Sequence, residues 1–156
     1  SLTPAGGGEA DSSSDVGITY TGIDGLTIGI ASGTDSGGAV EVDNSTRYIT
    51  YAYDAFTFGY QSNAMDSGTA GADEEFTAYA VSYAVNDDLS ISYGYSELDY
   101  EGNTITTDTT QEASAISVSY TMGSMAIAAT RADVDNQDGN SIQDGEGYEI
   151  NLAFTF

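Results

Sequence analysis

The sequence predicts an all-β protein whose chain runs as one antiparallel meander of about nine strands. Short turn signals and long polar stretches alternate strictly along the 156 residues, as they do when one hairpin follows another. The segments between them alternate with a period of two and are rich in Tyr, Ile, Val, Phe and Thr. No segment has helical periodicity, and the 19 glycines recur too often for a stable helix.

Each strand is delimited by turn residues on one side and by a polar stretch on the other. The short breaks lie at 23–25, 54–55, 86–88 and 123–124 and carry residues typical of tight turns. The long breaks, at 33–46, 62–75, 97–114 and 132–147, are rich in Gly, Asp, Ser, Thr and Asn, and 1–14 has the composition of another long loop. The strands are expected at 16–22, 26–32, 47–53, 56–61, 76–85, 89–96, 115–122, 125–131 and 148–156.

Composition excludes several functional classes. The chain has 25 acidic and 2 basic residues, a net charge of −23, and neither Cys nor His. It therefore has no Ser-His-Asp triad, no cysteine nucleophile and no zinc site of the usual ligands. Two basic residues are too few for a nucleic-acid interface. We expect neither an enzyme nor a cofactor, and we interpret the adjacent Glu74 and Glu75 as solvated residues.

The less apolar side of the expected strands carries Gly, Ala, Ser and Thr, where a soluble sheet shows water a mixture that includes Lys, Glu and Arg. Only Glu149 among the acidic residues falls inside a strand as bounded above. Small polar residues suit the wall of a water-filled channel, and bulky apolar residues suit lipid, so the pattern predicts an antiparallel transmembrane β-barrel. The alternative is a soluble acidic β-sandwich or solenoid. The candidate pore-lining residues are Thr19, Thr27, Thr57, Gln61, Ser82, Ser92, Ser119, Glu149 and Asn151.

The barrel hypothesis makes predictions about edges, faces and aromatic residues. The first and ninth strands should lie at the edges of the sheet, without partners beyond it in this chain. Thr19, Gly29, Ser92, Ser119 and Asn151 should lie on the concave side. The residues expected to be exposed on the other side are Ile18, Ile28, Phe58, Val81, Ile91, Val118, Ile150 and Leu152.

Aromatic residues are expected in two bands at the two membrane interfaces. Tyr53 and Phe56 flank the turn at 54–55, whereas Tyr60, Tyr79 and Tyr95 lie near the opposite ends of their strands. The alternative is that Tyr merely fills strand positions.

The segment 148–156 resembles the terminal strand of Gram-negative outer-membrane proteins, with apolar residues at alternate positions and Phe at the end. Acidic composition, absent Cys and short turns alternating with long loops make the whole chain similar to general diffusion porins of the 16-stranded trimeric kind. The resemblance implies an outer-membrane homotrimer that passes small hydrophilic solutes. It also implies that the barrel-assembly machinery recognises Tyr148, Ile150, Leu152, Phe154 and Phe156.

Strand parity then predicts that 1–156 is the C-terminal part of one barrel domain. In the family the terminal strand runs towards the periplasm, which makes the short turns periplasmic and places the long loops, including 1–14, outside the cell. Nine strands that end in the periplasm begin outside the cell, whereas a secreted barrel normally begins in the periplasm. An odd number of strands should therefore lie upstream, and seven more would make sixteen. This expectation also accounts for the absence of a visible signal peptide.

The same topology predicts where the negative charge lies. Asp24, Asp54, Asp87 and Asp88 lie at short turns, whereas twenty acidic residues lie in the opening stretch or long loops. An acidic mouth concentrates cations, with screening over about 8 Å at physiological salt, which predicts cation preference. The alternative is that the charge only keeps the loops soluble.

Arg47 and Arg131 are the two basic residues. Their positions in the alternation place both on the strand face that carries the bulky apolar residues. One interpretation is binding of lipopolysaccharide phosphate, which suits guanidinium geometry. The other is a salt bridge at the rim with loop acids such as Asp43 or Asp133. A bulge near the rim would instead turn these side chains to the lumen.

The run Asp133-Val-Asp135-Asn-Gln-Asp138-Gly139 has clustered carboxylates but misses the EF-hand spacing by one residue. Asp133, Asp135 and Asp138 are therefore weak candidates for Ca²⁺. They support the rival hypothesis, an acidic all-β cell-surface binding or adhesion module whose loops bind a partner or Ca²⁺.

Overall fold

A computed structural model describes residues 13–36, 40–102 and 107–155. These residues form one nine-stranded antiparallel sheet in which each strand pairs with its neighbours in sequence, so the predicted meander is confirmed. The strands are β1 (Ser13–Ile23), β2 (Leu26–Asp35), β3 (Val42–Tyr53), β4 (Phe56–Asp66), β5 (Glu74–Ala84), β6 (Leu89–Tyr100), β7 (Thr109–Met122), β8 (Met125–Asp135) and β9 (Gly145–Phe154). The expected loop at 1–14 lies outside the described residues except for its last two, which begin β1, and Phe156 lies outside them too.

The short turns have the backbone that tight hairpins need. Gly25, Asp54 and Gly123 have φ values of 72°, 53° and 61°, the left-handed region that makes a two-residue turn fit the twist of its strands. Strand β1 has an irregularity between Tyr20 and Ile23, just before its turn.

Most strands extend further towards the long loops than expected. The connections there shrink to 36–41, 67–73, 101–108 and 136–144, and the expectation that Glu149 alone among the acids lies in a strand is wrong. Backbone pairing between neighbouring strands continues where the side chains are no longer apolar, because the ladder needs only backbone donors and acceptors. Twelve further acidic residues lie in these extensions: Asp15, Asp35, Asp43, Asp66, Glu74, Glu75, Glu97, Asp99, Glu112, Asp133, Asp135 and Glu146.

The sheet is a single layer. Within the described ranges the buried residues are Gly29, Ser62 and Ser67, and no large apolar side chain is buried. A soluble β-sandwich buries the facing sides of two sheets, so that alternative is wrong. Strands β1 and β9 form the two edges, as predicted, and β1 is exposed along its whole length.

The helical content of the described part is one 3₁₀ turn, η1 (Gln137–Gly139), between β8 and β9. None of its helices has the length and hydropathy needed to span a membrane.

Candidate functional site

The sheet has two faces of opposite character, because cross-strand pairing stays in register from β2 to β9. We call the face that holds Ile18, Ile28, Phe58, Val81, Ile91, Val118, Ile150 and Leu152 the apolar face. We call the other the polar face, and all nine candidate pore-lining residues lie on it: Thr19, Thr27, Thr57, Gln61, Ser82, Ser92, Ser119, Glu149 and Asn151.

Seven of the eight apolar-face residues expected to be exposed are exposed, from Ile28 at 38% to Ile150 at 76%. Val81 is the exception and is half-buried. Its cross-strand neighbours are Phe58 and Tyr93, two aromatic residues that leave less of the small Val side chain uncovered.

A row of hydroxyl groups crosses the polar face perpendicular to the strands. It joins Thr57, Ser82, Ser92, Ser117, Thr130 and Glu149, which are successive cross-strand partners on β4 to β9. The hydroxyls of Ser117 and Thr130 are hydrogen-bonded to each other, and Asn151 Nδ2 donates to Glu149 Oε1 at 3.0 Å. This part of the polar face offers a continuous series of donors and acceptors to water.

Ser117 and Thr130 belong to this row but are absent from the candidates chosen from the sequence. Strand parity alone places Ser117 beside Ser119, so that signal was available. The role of Thr130 becomes visible only when the register pairs it with Ser117 and Glu149.

The next row towards the long loops has almost no side chains. It consists of Gly59, Ala80, Gly94, Ala115, Ala132 and Gly147 on β4 to β9. A Cβ at Gly59 would meet only the Ala80 Cβ, at 3.9 Å, and one at Gly147 would meet nothing within 4 Å. The space above the polar face is therefore open along this row.

On β3 the aromatic ring of Tyr48 lies on the polar face. The Tyr48 ring covers Gly29, its cross-strand partner, and a Cβ at Gly29 would lie 2.2 Å from Tyr48 Cε1. Gly29 is buried beneath the ring, so this end of the polar face is less open than the part formed by β4 to β9.

Two groups of aromatic residues on the apolar face correspond to the predicted bands, but Phe58 and Tyr93 occupy the row between them, so the aromatic residues form one continuous zone. Next to the short turns, Phe56 stacks on Tyr83 with 4.6 Å between ring centroids, and Tyr51 stacks on Tyr53 at 6.3 Å. Further along the strands Tyr60, Tyr79 and Tyr95 are successive cross-strand partners, with 5.2 Å between the first two rings. The second group lies in mid-strand because β4, β5 and β6 continue well beyond it.

The apolar face becomes acidic beyond this row of tyrosines. Glu97 and Glu112 lie directly opposite each other, an arrangement of like charges that disfavours pairing. The Tyr95 hydroxyl lies 2.8 Å from one oxygen of each carboxylate and donates its proton between them, which reduces the repulsion. The tyrosines therefore mark a boundary between an apolar band and a charged end.

The acids inside strands are divided unequally between the two faces. Nine lie on the apolar-face side: Asp43, Asp66, Glu75, Glu97, Asp99, Glu112, Asp133, Asp135 and Glu146. Only Asp15, Asp35, Glu74 and Glu149 lie on the polar-face side. The sequence alone suggested one acidic mouth, whereas the structure turns most of these carboxylates away from the polar face.

Arg131 lies in this acidic zone on the apolar face. Its Nη2 contacts Asp133 Oδ1 at 2.9 Å and its Nε contacts Glu146 Oε1 at 3.2 Å. Its guanidinium also lies over the Tyr148 ring, 5.9 Å from the centroid, and the Tyr148 hydroxyl donates to Glu146. The Arg131 side chain is thus neutralised by neighbours on its own strand and on β9.

Arg47 has different surroundings. Its Nε donates to Ser62 Oγ at 3.3 Å, and in the described part of the chain no carboxylate lies within ion-pair distance of it. The Asp43 carboxylate, one of its expected partners, accepts instead from the Thr34 hydroxyl. Arg47 is exposed on the apolar face, two positions beyond Ile49 towards the long loops.

The three candidate calcium ligands do not converge. Asp133 pairs with Arg131, Asp135 lies opposite Glu112, and Asp138 belongs to η1. Among residues 13–36, 40–102 and 107–155 no group of three carboxylates is placed to hold a metal ion.

Comparison with known proteins gave one match that covers nearly the whole chain. A family described as Gram-negative porin matches residues 2–156. No curated protein and no solved structure gave a significant match.

Proposed function

Because the chain belongs to the Gram-negative porin family, we propose that it forms a water-filled channel through which small hydrophilic solutes and ions diffuse passively. The observation that carries the proposal is the contrast between the two faces of this single-layer sheet. One face offers hydroxyls and Gly or Ala, and the other offers exposed aromatic and aliphatic side chains. Such a sheet suits water on one side and lipid on the other.

Permeation needs no chemical step in this proposal. Hydroxyls such as Ser82, Ser92 and Ser117 exchange hydrogen bonds with water and with a polar solute, so a solute loses little hydration along the wall. The row of Gly and Ala beside them leaves room for the solute. Selection then depends on size and charge.

In this proposal, strands other than these nine complete the ring. Backbone groups at a sheet edge cannot remain unpaired in lipid, and β1 and β9 lie at opposite edges of this sheet. We propose that seven further strands complete a 16-stranded barrel of which residues 1–156 are the C-terminal part, and that three barrels assemble into a trimer. The support is the similarity in strand pattern to general diffusion porins.

The apolar face is proposed to contact the lipid bilayer, with the aromatic residues beside the short turns at one interface and Tyr60, Tyr79 and Tyr95 at the point where the face becomes acidic towards the other. Arg47 lies where this face changes from apolar to polar and has no acidic partner among the described residues, so it is the candidate contact for lipopolysaccharide phosphate. On β9, Tyr148, Ile150, Leu152 and Phe154 are all exposed on one face, which suits recognition by the barrel-assembly machinery.

Cation preference is proposed from the carboxylates that share the polar face with the permeation path. Glu149 ends the hydroxyl row, and Glu74, Asp15 and Asp35 lie nearer the long loops. The described polar face has no basic residue, because Arg47 and Arg131 both lie on the other face. A wall with only negative charge favours cations.

Reconstitution in planar lipid bilayers tests the proposal. We expect stepwise conductance and a reversal potential of cationic sign across a salt gradient, from protein that requires detergent for purification. The rival hypothesis, a cell-surface binding or adhesion module, predicts water-soluble protein and no conductance steps.

A further inference from the structure

The first part of the loop between β8 and β9, residues 136–139, crosses the end of β7 and reaches β6, whereas residues 140–144 are exposed. Asn136 Nδ2 donates to the backbone oxygen of Thr110 at 2.9 Å, and the Asp138 N–H donates to Gln111 Oε1 at 2.8 Å. Gly139 lies against Tyr100, so closely that a Cβ there would be 3.1 Å from the ring. Three contacts to two strands therefore hold the loop down.

The loop has a compact structure of its own. Its ends are joined by Gln137 N–H donating to the Gln143 oxygen at 2.7 Å and by Asn136 N–H donating to Asp144 Oδ1 at 3.3 Å. Asn136, Asp138 and Gly139 have φ values of 55°, 56° and 71°, which turn the chain back on itself within four residues. Left-handed backbone at Asn and Asp is costly unless its surroundings hold it, and the contacts to β7 do so.

The loop rests on the polar-face side of the sheet. Tyr100 and Gln111 belong to that face, being cross-strand partners of Glu74 and of Leu98. Near the long loops this face carries Phe76, Leu98 and Tyr100 in place of hydroxyls, and Gly139 of the loop lies against Tyr100. The Asp138 N–H donates to Gln111, a residue of the polar face, so Asp138 lies on that side of the rim.

We infer that residues 136–144 form a fixed partial cover over the channel mouth, and that Asp138 is a selectivity-determining charge beside the path of permeating ions. The inference rests on the proposed channel function. It distinguishes Asp138 from Asp135, only three residues earlier, whose side chain lies on the apolar face opposite Glu112. Two carboxylates of one short segment thus have different roles because the chain reverses between them.

The charge is tested by comparing Asp138→Asn with Asp135→Asn, the same substitution on the other face. In the full chain in planar bilayers at 0.1 M salt, we expect Asp138→Asn to lower the cation-to-anion permeability ratio about twofold, and to have less effect at 1 M as the Debye length falls from about 10 Å to about 3 Å. Asp135→Asn removes one of the carboxylates on the apolar face, so it should lower the ratio clearly less at 0.1 M salt and leave it unchanged at 1 M. Equal effects of the two variants, or none from Asp138→Asn, would overturn the role of Asp138.

The cover is tested by releasing the loop with Asn136→Gly and Gln111→Ala together. Glycine keeps the left-handed backbone at 136 while both side-chain contacts to β7 are lost. We expect larger mean conductance, more current noise and entry of larger neutral polymers. The control is Asn86→Gly in a short turn, where Asn86 Oδ1 accepts from the N–H groups of Asp88 and Leu89.

Channels whose conductance, noise and polymer cut-off match the parent after loop release would show that the loop does not cover the path. Failure of the unmodified protein to form any channel would instead reject the proposed function, and the inference with it. If the released variant does not assemble, Asp138→Asn and Asp135→Asn still decide the role of Asp138.

Discussion

The two arginines show how strongly local pairing decides what a surface charge can do. Arg131 contacts two carboxylates and an aromatic ring, so its charge is already neutralised within the protein. Arg47 contacts the Ser62 hydroxyl and has no carboxylate within ion-pair distance in the described ranges. Of the two, Arg47 is therefore the better candidate for contact with an external anion.

We therefore expect Arg47→Gln to weaken binding of the detergent-solubilised full chain to lipopolysaccharide severalfold, because a guanidinium–phosphate contact is lost. Arg131→Gln is the matched control and should have little effect. Binding to lipopolysaccharide with its phosphates removed should not distinguish Arg47→Gln from the parent. Equal losses in both arginine variants would contradict a specific role for Arg47.

At the scale of the secondary-structure elements, the short turns determine which strands meet and in which register. Gly25 and Gly123 both adopt left-handed backbone, but their surroundings differ. The Gly25 oxygen accepts from the Ala52 N–H at 2.8 Å, and a Cβ at Gly25 would lie 2.2 Å from the Ala52 oxygen. A Cβ at Gly123 would meet nothing within 4 Å.

We expect Gly123→Ala to lower the free energy of unfolding by about 1 kcal/mol, the cost of left-handed backbone in a residue with a Cβ. Gly25→Ala should cost about 1–3 kcal/mol more, because the turn must also move away from the neighbouring strand. Denaturant unfolding of the refolded protein in detergent measures both. A Gly25→Ala variant no less stable than Gly123→Ala would show that the first turn is not held against β3.

For the whole molecule, we expect the face on which each carboxylate lies to affect ion preference more than the total charge of −23 does. Nine of the thirteen acids inside strands lie on the apolar-face side, where the wall separates them from the proposed path. Four lie on the polar face. The proposed cation preference would therefore have two sources, a distant one that salt screens strongly and a near one that salt screens less.

We expect the cation preference of the reconstituted channel to weaken as salt is raised. Part of the preference should persist at high salt. The Debye length falls from about 10 Å at 0.1 M to about 3 Å at 1 M, which silences the distant carboxylates first. Reversal potentials at low and high mean salt measure both parts. Anion preference at low salt would contradict the mechanism while leaving the fold intact.

The sequence by itself determined the number of strands, their order and the two faces. These follow from backbone geometry, since side chains alternate with a period of two and short turns join neighbouring antiparallel strands. That is why all nine pore-lining candidates, from Thr19 to Asn151, share one face. Ser117 is not among those nine candidates, but the same reasoning places it on the same face.

Tertiary structure alone decided how far the strands extend and what their ends contact. Propensity assigns acidic residues to loops, yet Glu97, Glu112 and Asp135 pair across neighbouring strands because the backbone ladder continues beyond the apolar band. Contacts such as Arg131 with Glu146, or the loop at 136–144 with Tyr100 and Gln111, join residues whose sequence separation carries no periodic signal. These contacts depend on which strand ends become neighbours in space. The pairing of all the strands in the sheet determines those neighbours.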